Sequence, residues 1–343
     1  MQDLLNTNHK GKLPIALVSP AVRDEFSARA VALDMIVSSP GVPLDPQTLR
    51  RIDLAFLSTD LMFGSSGGLA PGLSTFCDHL RDAVNLRWLH VRSAGADRPI
   101  LLELLARGVR VTTSSGANAP EVSQSALAGF LALARGVPDW VHAQRRHEWS
   151  PQDGKALPCD IVGNTAIVVG MGPIGREIAR LLQAFRLSII GVTRSAAPVP
   201  GCVEVLPYAR LEEALPRADW LILACPLTPE TRGMIDAARL AMLPAGARII
   251  NVARGAVVVE ADLVHALQSG RLGGAYLDVF ENEPLAPDSP LWDMPGTLIS
   301  SHRAGHSTGV DARIMEMFLD NLLRWLGDAE LKNEVLAAPA QVA

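Results

Sequence analysis

Residues Thr165–Ala179 read TAIVVGMGPIGREIA, and this stretch decides the fold of the chain. It opens with a short apolar run typical of a buried parallel strand, and the pattern G-x-G-x-x-G follows at once. Apolar residues at helical spacing come next, at Ile178, Leu181, Leu182 and Phe185. A strand, a glycine-rich turn and a helix in this order predict the start of a doubly wound α/β domain.

Each glycine of this turn has a physical role in binding a dinucleotide. Gly170 permits the tight turn, Gly172 lets the backbone approach a pyrophosphate, and Gly175 allows the helix and strand to pack closely. The N-terminus of the following helix offers free N–H groups and a positive dipole to the phosphates. The turn therefore predicts a dinucleotide cofactor.

The next predicted strand, Ser188–Val192, narrows the choice of cofactor. An NAD-specific site places an Asp or Glu at its end, about 20 residues after the glycines. Here Thr193, Arg194 and Ser195 stand there, and residues 186–202 contain no acidic side chain. A guanidinium beside a hydroxyl suits a 2′-phosphate, which a carboxylate would repel. We expect NADP to be preferred over NAD; the alternative is that Arg194 is only a solvated loop cation.

The composition is that of an ordinary globular protein, long enough for two domains. The chain has 343 residues, 48% hydrophobic and 20% charged, with a net charge of −5. The chain has no long basic block, so its charge pattern does not suggest a nucleic-acid or membrane partner. No apolar run approaches the ~18 residues of a membrane span. The N-terminus also lacks the apolar region of a signal peptide.

The cysteines are few and far apart in the sequence. They are Cys77, Cys159, Cys202 and Cys225, and their spacing is not that of a metal site. This usage is typical of a reduced protein. We therefore expect a cytoplasmic protein without a metal.

Strand-like runs alternate with helical patterns along most of the chain, which favours parallel α/β sheets. The first third predicts strands at Ile15–Val18, Leu54–Leu57, Trp88–Val91 and Val109–Thr112. From Thr165 onward, six strands are predicted: Thr165–Val169, Ser188–Val192, Trp220–Ala224, Arg248–Asn251, Ala275–Asp278 and Leu298–Ser300. Six is the number expected of a complete dinucleotide-binding domain.

Two long helices complete the predicted organisation. One runs from near Pro120 to about Arg135, and the other from Val310 to about Leu326, where it packs back on the N-terminal domain. We therefore expect a Rossmann dinucleotide-binding domain, residues 119–303. It is inserted into a flavodoxin-like substrate-binding domain formed by residues 1–118 and 304–343.

Polar residues follow three of the late strands, at the edge where open α/β sheets bind ligands. Arg254 can grip a carboxylate bidentately and polarise an adjacent carbonyl. Glu283 and His302 are suited to an acid–base dyad in which the carboxylate orients the imidazole. Taken singly, Asp278 and Glu283 are equally consistent with helix caps, and His306 competes with His302. A catalytic role is favoured because all of these polar residues follow strands that end at one edge of the predicted sheet.

At this point the chain resembles the D-isomer-specific 2-hydroxyacid dehydrogenases. The motifs that carry the resemblance are Gly170–Gly175, Cys225–Arg232, Asn251–Gly255, Gly274–Leu285 and His302. The resemblance covers nearly the whole chain and is strongest over residues 161–305. It implies hydride transfer between the cofactor and a 2-hydroxy or 2-keto acid.

The resemblance also implies a role for each matching residue. Arg254 would bind the substrate carboxylate and carbonyl, and His302, oriented by Glu283, would exchange the proton. The cofactor would be contacted by Pro173, Ile174, Cys225, Pro226, Thr231, Val252, Ala253 and Asp278, with Asp278 on the nicotinamide carboxamide. The substrate carboxylate would rest on the loop of Ala94, Gly95 and Ala96.

The chain departs from the family pattern in small ways, which leave the reaction class standing. Ser301 stands where the family usually has proline, while Arg194 and Ser195 resemble the NADPH-preferring glyoxylate/hydroxypyruvate reductase branch. A dinucleotide-sensing corepressor and a formate- or phosphite-type dehydrogenase are the alternatives. Residues 61–68 and Trp149 are candidates for substrate selectivity, but the sequence does not identify the acid or the physiological direction.

The family and the apolar segment Pro120–Trp149 together favour a homodimer. The long helix in this segment and the tryptophans that follow it, Trp140 and Trp149, carry more apolar surface than one cofactor domain is expected to bury. A two-fold dimer would cover that surface.

Overall fold

The computed structural model describes residues 13–29, 31, 33–61, 72–96, 98–149, 157–158 and 160–335. The chain divides into two compact units. The first extends to Ala117 and resumes at Thr308, and the second is Asn118–Ser307. Across the described ranges, no helix is both long and apolar enough to cross a membrane.

The first unit is built on a parallel β-sheet. Within its described residues the sheet has five strands: Ile15–Val18 (β1), Asp34–Val37 (β2), Leu54–Leu57 (β3), Trp88–Val91 (β4) and Arg110–Thr113 (β5). The helices between them are Pro20–Ala28 (α1), Pro46–Leu49 (α2), Gly72–Asp82 (α3) and Pro99–Ala106 (α4). The strand order β2-β1-β3-β4-β5 is flavodoxin-like, as predicted.

The second unit is a Rossmann domain. Its described residues form the strands Thr165–Val169 (β6), Ser188–Thr193 (β7), Glu204–Pro207 (β8), Trp220–Leu223 (β9), Arg248–Asn251 (β10), Gly274–Leu277 (β11) and Thr297–Ile299 (β12). Its helices are Ala119–Arg135 (α5), Val137–Arg145 (α6), Pro173–Gln183 (α7), Leu211–Ala214 (α8), Ala237–Met242 (α9) and Glu260–Gln268 (α10). The order β12-β11-β10-β9-β6-β7-β8 places β6 at the switch point, where a dinucleotide binds.

Two strands and one helix differ from the sequence prediction. The strands β2 and β8 each lie at an edge of a sheet, and neither has the continuous apolar run that marks a buried strand. The described part of the second sheet therefore has seven strands where six were predicted. Helix α6 was not predicted because none of its residues is buried, so it has no apolar face turned to a core.

The last helix, Val310–Leu326 (α11), packs on the first unit as predicted. Phe318 is fully buried and stacks on two aromatic rings of the sheet. Its ring centroid lies 4.6 Å from that of Phe56 and 5.5 Å from that of Trp88. These large side chains give the first unit much of its core.

Helix α5 packs inside the second unit, against α7 and β11. A Cβ added at Gly129 would lie 2.4 Å from the ring of Tyr276, so only glycine permits this approach. Phe130 lies in the core, with its ring centroid 4.4 Å from that of Trp220. The apolar face of α5 is therefore buried within the unit itself, and the homodimer stays a prediction. The exposed large apolar residues of the segment Pro120–Trp149 are Trp140, Val141 and Trp149, in α6 and after it.

Candidate active site

The glycine-rich turn has the shape that a pyrophosphate requires. Gly170 has a φ of +94°, and a Cβ there would lie 2.5 Å from the Cα of Cys225. A Cβ on Gly175 would lie 1.9 Å from the carbonyl oxygen of Gly170. At Gly172, by contrast, a Cβ would meet nothing within 4 Å. Two glycines are thus needed for packing, and the third faces open space that phosphate oxygens can enter.

The start of α7 leaves N–H donors for those oxygens. Gly172 is the N-cap residue, and Pro173, which has no N–H, begins the helix. Among the described residues, none accepts a hydrogen bond from the N–H of Ile174 or Gly175. Such free donors at a helix N-terminus bind phosphate. This turn therefore fits the cofactor predicted from the sequence.

Arg194 and Ser195 follow β7 at the same edge of the sheet. Both are exposed, and neither has a hydrogen-bond or ion-pair partner in the described part of the chain. The backbone turns here because Thr193 Oγ1 accepts a hydrogen bond of 2.9 Å from the N–H of Ala196. A guanidinium and a hydroxyl are thus presented to solvent where a ribose 2′-phosphate is expected.

The resemblance implies that three residues after β9, namely Cys225, Pro226 and Thr231, lie on the adenosine side of the cofactor, and of these only Pro226 is exposed. Cys225 is buried against the glycine-rich turn, and burial raises the pKa of its thiol to about 12. Thr231 is also buried; its Oγ1 donates to the carbonyl oxygen of Pro226 at 2.6 Å and accepts from the N–H of Thr228 at 2.8 Å. Cys225 and Thr231 therefore shape the turn that presents Pro226.

The segment after β10 is held by Asn251, a residue to which sequence reasoning gave no role. Its Oδ1 accepts from the N–H of Ala253 at 3.0 Å, and its Nδ2 donates to the carbonyl oxygen of Arg254 at 3.2 Å. Val252 and Ala253 are buried beneath this turn. A buried asparagine at the end of a strand was the available signal, because such a residue needs partners nearby.

Arg254 is half-buried, and its Nη1 donates to the carbonyl oxygen of Ala253 at 2.8 Å. The next residue, Gly255, lies so close to the chain after β11 that a Cβ would meet the carbonyl carbon of Phe280 at 1.8 Å. The positive charge of Arg254 also acts on Glu283. The structure thus brings Arg254 and Glu283 into one neighbourhood.

Glu283 and His302 are in direct contact. Glu283 Oε2 lies 2.7 Å from His302 Nδ1, and Glu283 Oε1 accepts from the N–H of Phe280 at 3.1 Å. Burial raises the pKa of Glu283, but the hydrogen bonds from His302 and Phe280 and the charges of His302 and Arg254 outweigh burial and lower it. A carboxylate at this distance fixes the ring orientation and leaves Nε2 to face a reactant.

Asp278 lies under the backbone that carries His302. Its Oδ1 accepts from Ser300 Oγ at 2.5 Å and from the N–H groups of Arg303 and Ala304 at 2.9 and 3.0 Å. Among the described residues, its Oδ2 accepts only from Ala304 N–H, at 3.1 Å. Since a carboxylate oxygen has two lone pairs, Oδ2 retains room for one further donor such as an amide of a nicotinamide ring.

The predicted substrate loop belongs to the first unit, between β4 and α4. In the described part of the chain, no group accepts a hydrogen bond from the N–H of Ala94, Gly95 or Ala96. Ser93 Oγ donates to the carbonyl oxygen of Gly95 at 2.7 Å, which bends the loop. Free N–H groups in a bent loop are a common means of binding a carboxylate.

Three further candidates remain: Trp149, residues 61–68 and His306. Trp149 is 96% exposed on the second unit. Of residues 61–68, only Leu61 lies within the described residues, where it is buried. His306 is exposed four residues beyond His302.

Comparison with known proteins identifies the family of this chain. Residues 127–304 match the family model of the D-isomer specific 2-hydroxyacid dehydrogenase NAD-binding domain. The chain belongs to this family. Two relatives support the assignment. A glyoxylate reductase of Korarchaeum cryptofilum is 33% identical over 70% of this chain and 73% of its own length. Glyoxylate/hydroxypyruvate reductase B of Salmonella newport is 30% identical over 90% of this chain and 94% of its own length.

A solved structure with the same fold comes from Sinorhizobium meliloti. It is an NADPH-dependent glyoxylate/hydroxypyruvate reductase in complex with NADP and sulfate. Its sequence is 28% identical to this chain, the match covers 94% of this chain and 98% of that one, and the TM-score is 0.74. Membership of the family makes the protein an NAD(P)-dependent oxidoreductase of the 2-hydroxyacid dehydrogenase type.

Proposed function

We propose that the protein is an NADPH-preferring reductase of small 2-keto acids that uses His302 and Glu283 as its acid–base pair. The single observation that carries this proposal is the 2.7 Å contact between Glu283 Oε2 and His302 Nδ1 at the carboxyl edge of the Rossmann sheet. The relatives named above are reductases of glyoxylate or hydroxypyruvate, so small, unphosphorylated 2-keto acids are the class to test first.

The residues divide the work of the reaction. When bound, the reduced dinucleotide supplies the hydride to the carbonyl carbon. His302, protonated, donates its Nε2 proton to the oxygen on which negative charge develops. Glu283 stabilises that protonated ring through Nδ1. Arg254 holds the substrate carboxylate and stabilises the developing charge.

The substrate carboxylate has a second set of donors in this proposal. In the first unit, the N–H groups of Ala94, Gly95 and Ala96 have no acceptor among the described residues and would donate to it. Backbone donors are fixed in direction by the loop, so they select the orientation of a bound keto acid without adding a further charge.

The cofactor preference rests on Arg194 and Ser195. Both are exposed without a partner in the described residues, so neither has to break a contact before binding a phosphate. The glycine-rich turn, Pro173 and Ile174 would hold the pyrophosphate. Val252, Ala253 and Asp278 would lie at the nicotinamide end, where Oδ2 of Asp278 has room for an amide donor.

We also propose a homodimer in the cytoplasm. The support from the structure is the exposed apolar surface of α6 and the segment after it, where Trp140 is 50% exposed and Trp149 is 96% exposed. Large exposed aromatic side chains are typical of protein interfaces. Light scattering that gives the mass of a single chain, 36.6 kDa, at micromolar concentration would contradict the dimer.

The function is tested by following the oxidation of NADPH and NADH at 340 nm with a panel of 2-keto acids. We expect turnover of glyoxylate, hydroxypyruvate or pyruvate, faster with NADPH. His302→Ala should abolish most of it, while His265→Ala, which changes an exposed histidine of α10, should not. Tight NADPH binding without turnover of any keto acid would favour the corepressor alternative. Turnover of formate or phosphite would favour a formate- or phosphite-type dehydrogenase.

A further inference from the structure

A row of side chains links the last two strands of the Rossmann sheet. The parallel register pairs Tyr276 with Leu298 and Leu277 with Ile299, so Asp278 and Ser300 follow as neighbours at the carboxyl edge. Alternate residues of a strand point to the same face, which places the side chains of Tyr276, Asp278 and Ser300 together. They form a chain of hydrogen bonds, Tyr276 Oη to Ser300 Oγ at 2.9 Å and Ser300 Oγ to Asp278 Oδ1 at 2.5 Å.

The direction of this chain follows from the number of protons. The carboxylate of Asp278 accepts only, so Ser300 must use its one hydroxyl proton on Asp278. Ser300 Oγ then has only lone pairs for Tyr276, and the phenol must donate. Burial, together with the negative charge of Asp278, raises the pKa of Tyr276 despite the opposing hydrogen bond with Ser300, so the phenol keeps its proton.

This series of hydrogen bonds ends, beyond Asp278, at the backbone around His302. Asp278 Oδ1 receives the N–H groups of Arg303 and Ala304, and the carbonyl oxygen of Asp278 receives the N–H of His302 at 2.7 Å. His302 has a φ of +50°, in the left-handed region that residues other than glycine seldom adopt. Such a conformation persists only where surrounding contacts hold it. Residues 300–304, here called the His302 loop, thus depend on Asp278.

At the other end of this series of hydrogen bonds, Tyr276 is held by packing. The ring of Tyr276 lies against Gly129 of α5 so closely that a Cβ on Gly129 would be 2.4 Å from the ring. Helix α5 also contacts the loop directly, because Ser125 Oγ donates to the carbonyl oxygen of Ala304 at 3.0 Å. Tyr276 therefore has little freedom to move.

We infer that Tyr276 and Ser300 are positioning residues: they fix the Asp278 carboxylate, which fixes the His302 loop and so the imidazole. The inference rests on the proposed function, in which His302 transfers the proton. Neither residue touches the imidazole, and both act through Asp278 and the main chain.

The test combines a readout of the loop with a readout of the reaction. Amide hydrogen exchange of residues 302–304 is measured by mass spectrometry in the wild type, Ser300→Ala, Ser300→Thr and Tyr276→Phe. Ser300→Ala should speed exchange there roughly five- to tenfold, the factor that corresponds to one lost hydrogen bond. Ser300→Thr, which keeps the hydroxyl, should restore the wild-type rate. Tyr276→Phe keeps the ring packing and should change exchange in the same direction by less.

Steady-state kinetics give the second readout. Ser300→Ala should lower kcat, measured at saturating NADPH with the best keto acid, by roughly five- to tenfold, while KM for NADPH reports separately on the proposed contact between Asp278 and the nicotinamide. In a His302→Ala background and at saturating NADPH, Ser300→Ala should cause no further loss of kcat, because its effect on proton transfer passes through His302. The matched control is Ser269→Ala, which removes a serine hydroxyl bonded at the end of α10.

The outcomes separate this inference from the proposed function. Unchanged exchange at residues 302–304 in Ser300→Ala, or an equal kinetic loss in the His302→Ala background, would overturn the positioning role. If the wild type reduced no keto acid, the proposed function would fail, yet the exchange measurement would still decide whether Ser300 and Tyr276 hold the loop. The positioning role is supported if Ser300→Ala speeds amide exchange in the His302 loop alone and Ser300→Thr has the wild-type rate.

Discussion

Replacing Glu283 by glutamine changes the charge of the acid–base pair and little else. Glutamine has the size of glutamate, and its side-chain oxygen can still accept a hydrogen bond from His302 Nδ1. The carboxylate now lies 2.7 Å from that nitrogen. The perturbation therefore separates the stabilisation of a protonated ring from the orientation of the ring.

The expected loss follows from the strength of the two hydrogen bonds. A hydrogen bond to a charged group contributes about 1.5–3 kcal/mol, and a neutral one about 0.5–1.5 kcal/mol. The side chain of His302 is 48% exposed and that of Glu283 is 34% exposed, so solvent screening favours the low end of the difference. A loss of about 1 kcal/mol corresponds to roughly fivefold slower reduction at neutral pH.

The pH dependence has a definite sign. The pKa of Glu283 is lowered because the hydrogen bonds from His302 and Phe280 and the nearby charges outweigh burial. The carboxylate therefore supports the protonated ring throughout the neutral range, and this support is lost only as the pH falls through the lowered value. Without the carboxylate, no negative charge stabilises the protonated ring. The alkaline limb of the reduction profile should then move towards acid.

The assay is kcat/KM for keto-acid reduction against pH in the wild type, Glu283→Gln and Glu281→Gln. Glu281 is an exposed glutamate two residues away and serves as the matched control. A profile of Glu283→Gln that superimposes on the wild type would refute the dyad. A loss as large as that of His302→Ala would also refute it in this form, since Glu283 would then act directly on the reactants.

Three further predictions concern other residues. His302→Ala should lower turnover by ~10²–10⁴, the contribution of a positioned proton donor, with NADPH binding retained, whereas His306→Ala should have little effect; the reverse result in the same steady-state assay would reassign the acid. Arg194→Asp should abolish or invert a preference for NADPH of at least ~10-fold in kcat/KM, since one charge-assisted hydrogen bond contributes ~1.5–3 kcal/mol; equal use of both cofactors by the wild type would make Arg194 a bystander. Burial lowers the pKa of His90 to about 3, so between about pH 6.5 and pH 3 the unfolded chain binds a proton at this ring and the folded chain does not. The free energy of unfolding, measured with urea, should therefore fall by about 1.4 kcal/mol for each pH unit that the pH is lowered through this range. His90→Asn should remove that part of the slope, and identical slopes in both proteins would contradict it.

The strongest sequence predictions rest on local patterns. The run before Gly170 is apolar because β6 is buried on both faces, and the spacing of Ile178 and Leu182 follows the buried face of α7. Helices α5 and α11 were predicted nearly to the residue, since each carries apolar positions at the helical period over many turns. The relatives confirm the family that these motifs indicate.

The edge strands were not predictable in the same way. Residues 34–37 and 204–207 become strands because β1 and β7 offer them hydrogen-bonding partners in the sheet, and their own side chains give a weak signal. None of the residues of helix α6 is buried. These elements depend on what lies beside them.

The sequence by itself determined the family, the glycine-rich turn and the residue types available for catalysis, because those depend on neighbours within a few positions. Only the tertiary structure decided which of them meet. Glu283 and His302 are 19 residues apart in the chain, and Tyr276 and Ser300 are 24 apart. Their contacts arise because β11 and β12 pair in one register and end at the same edge, and a register between strands is set by the packing of the whole sheet.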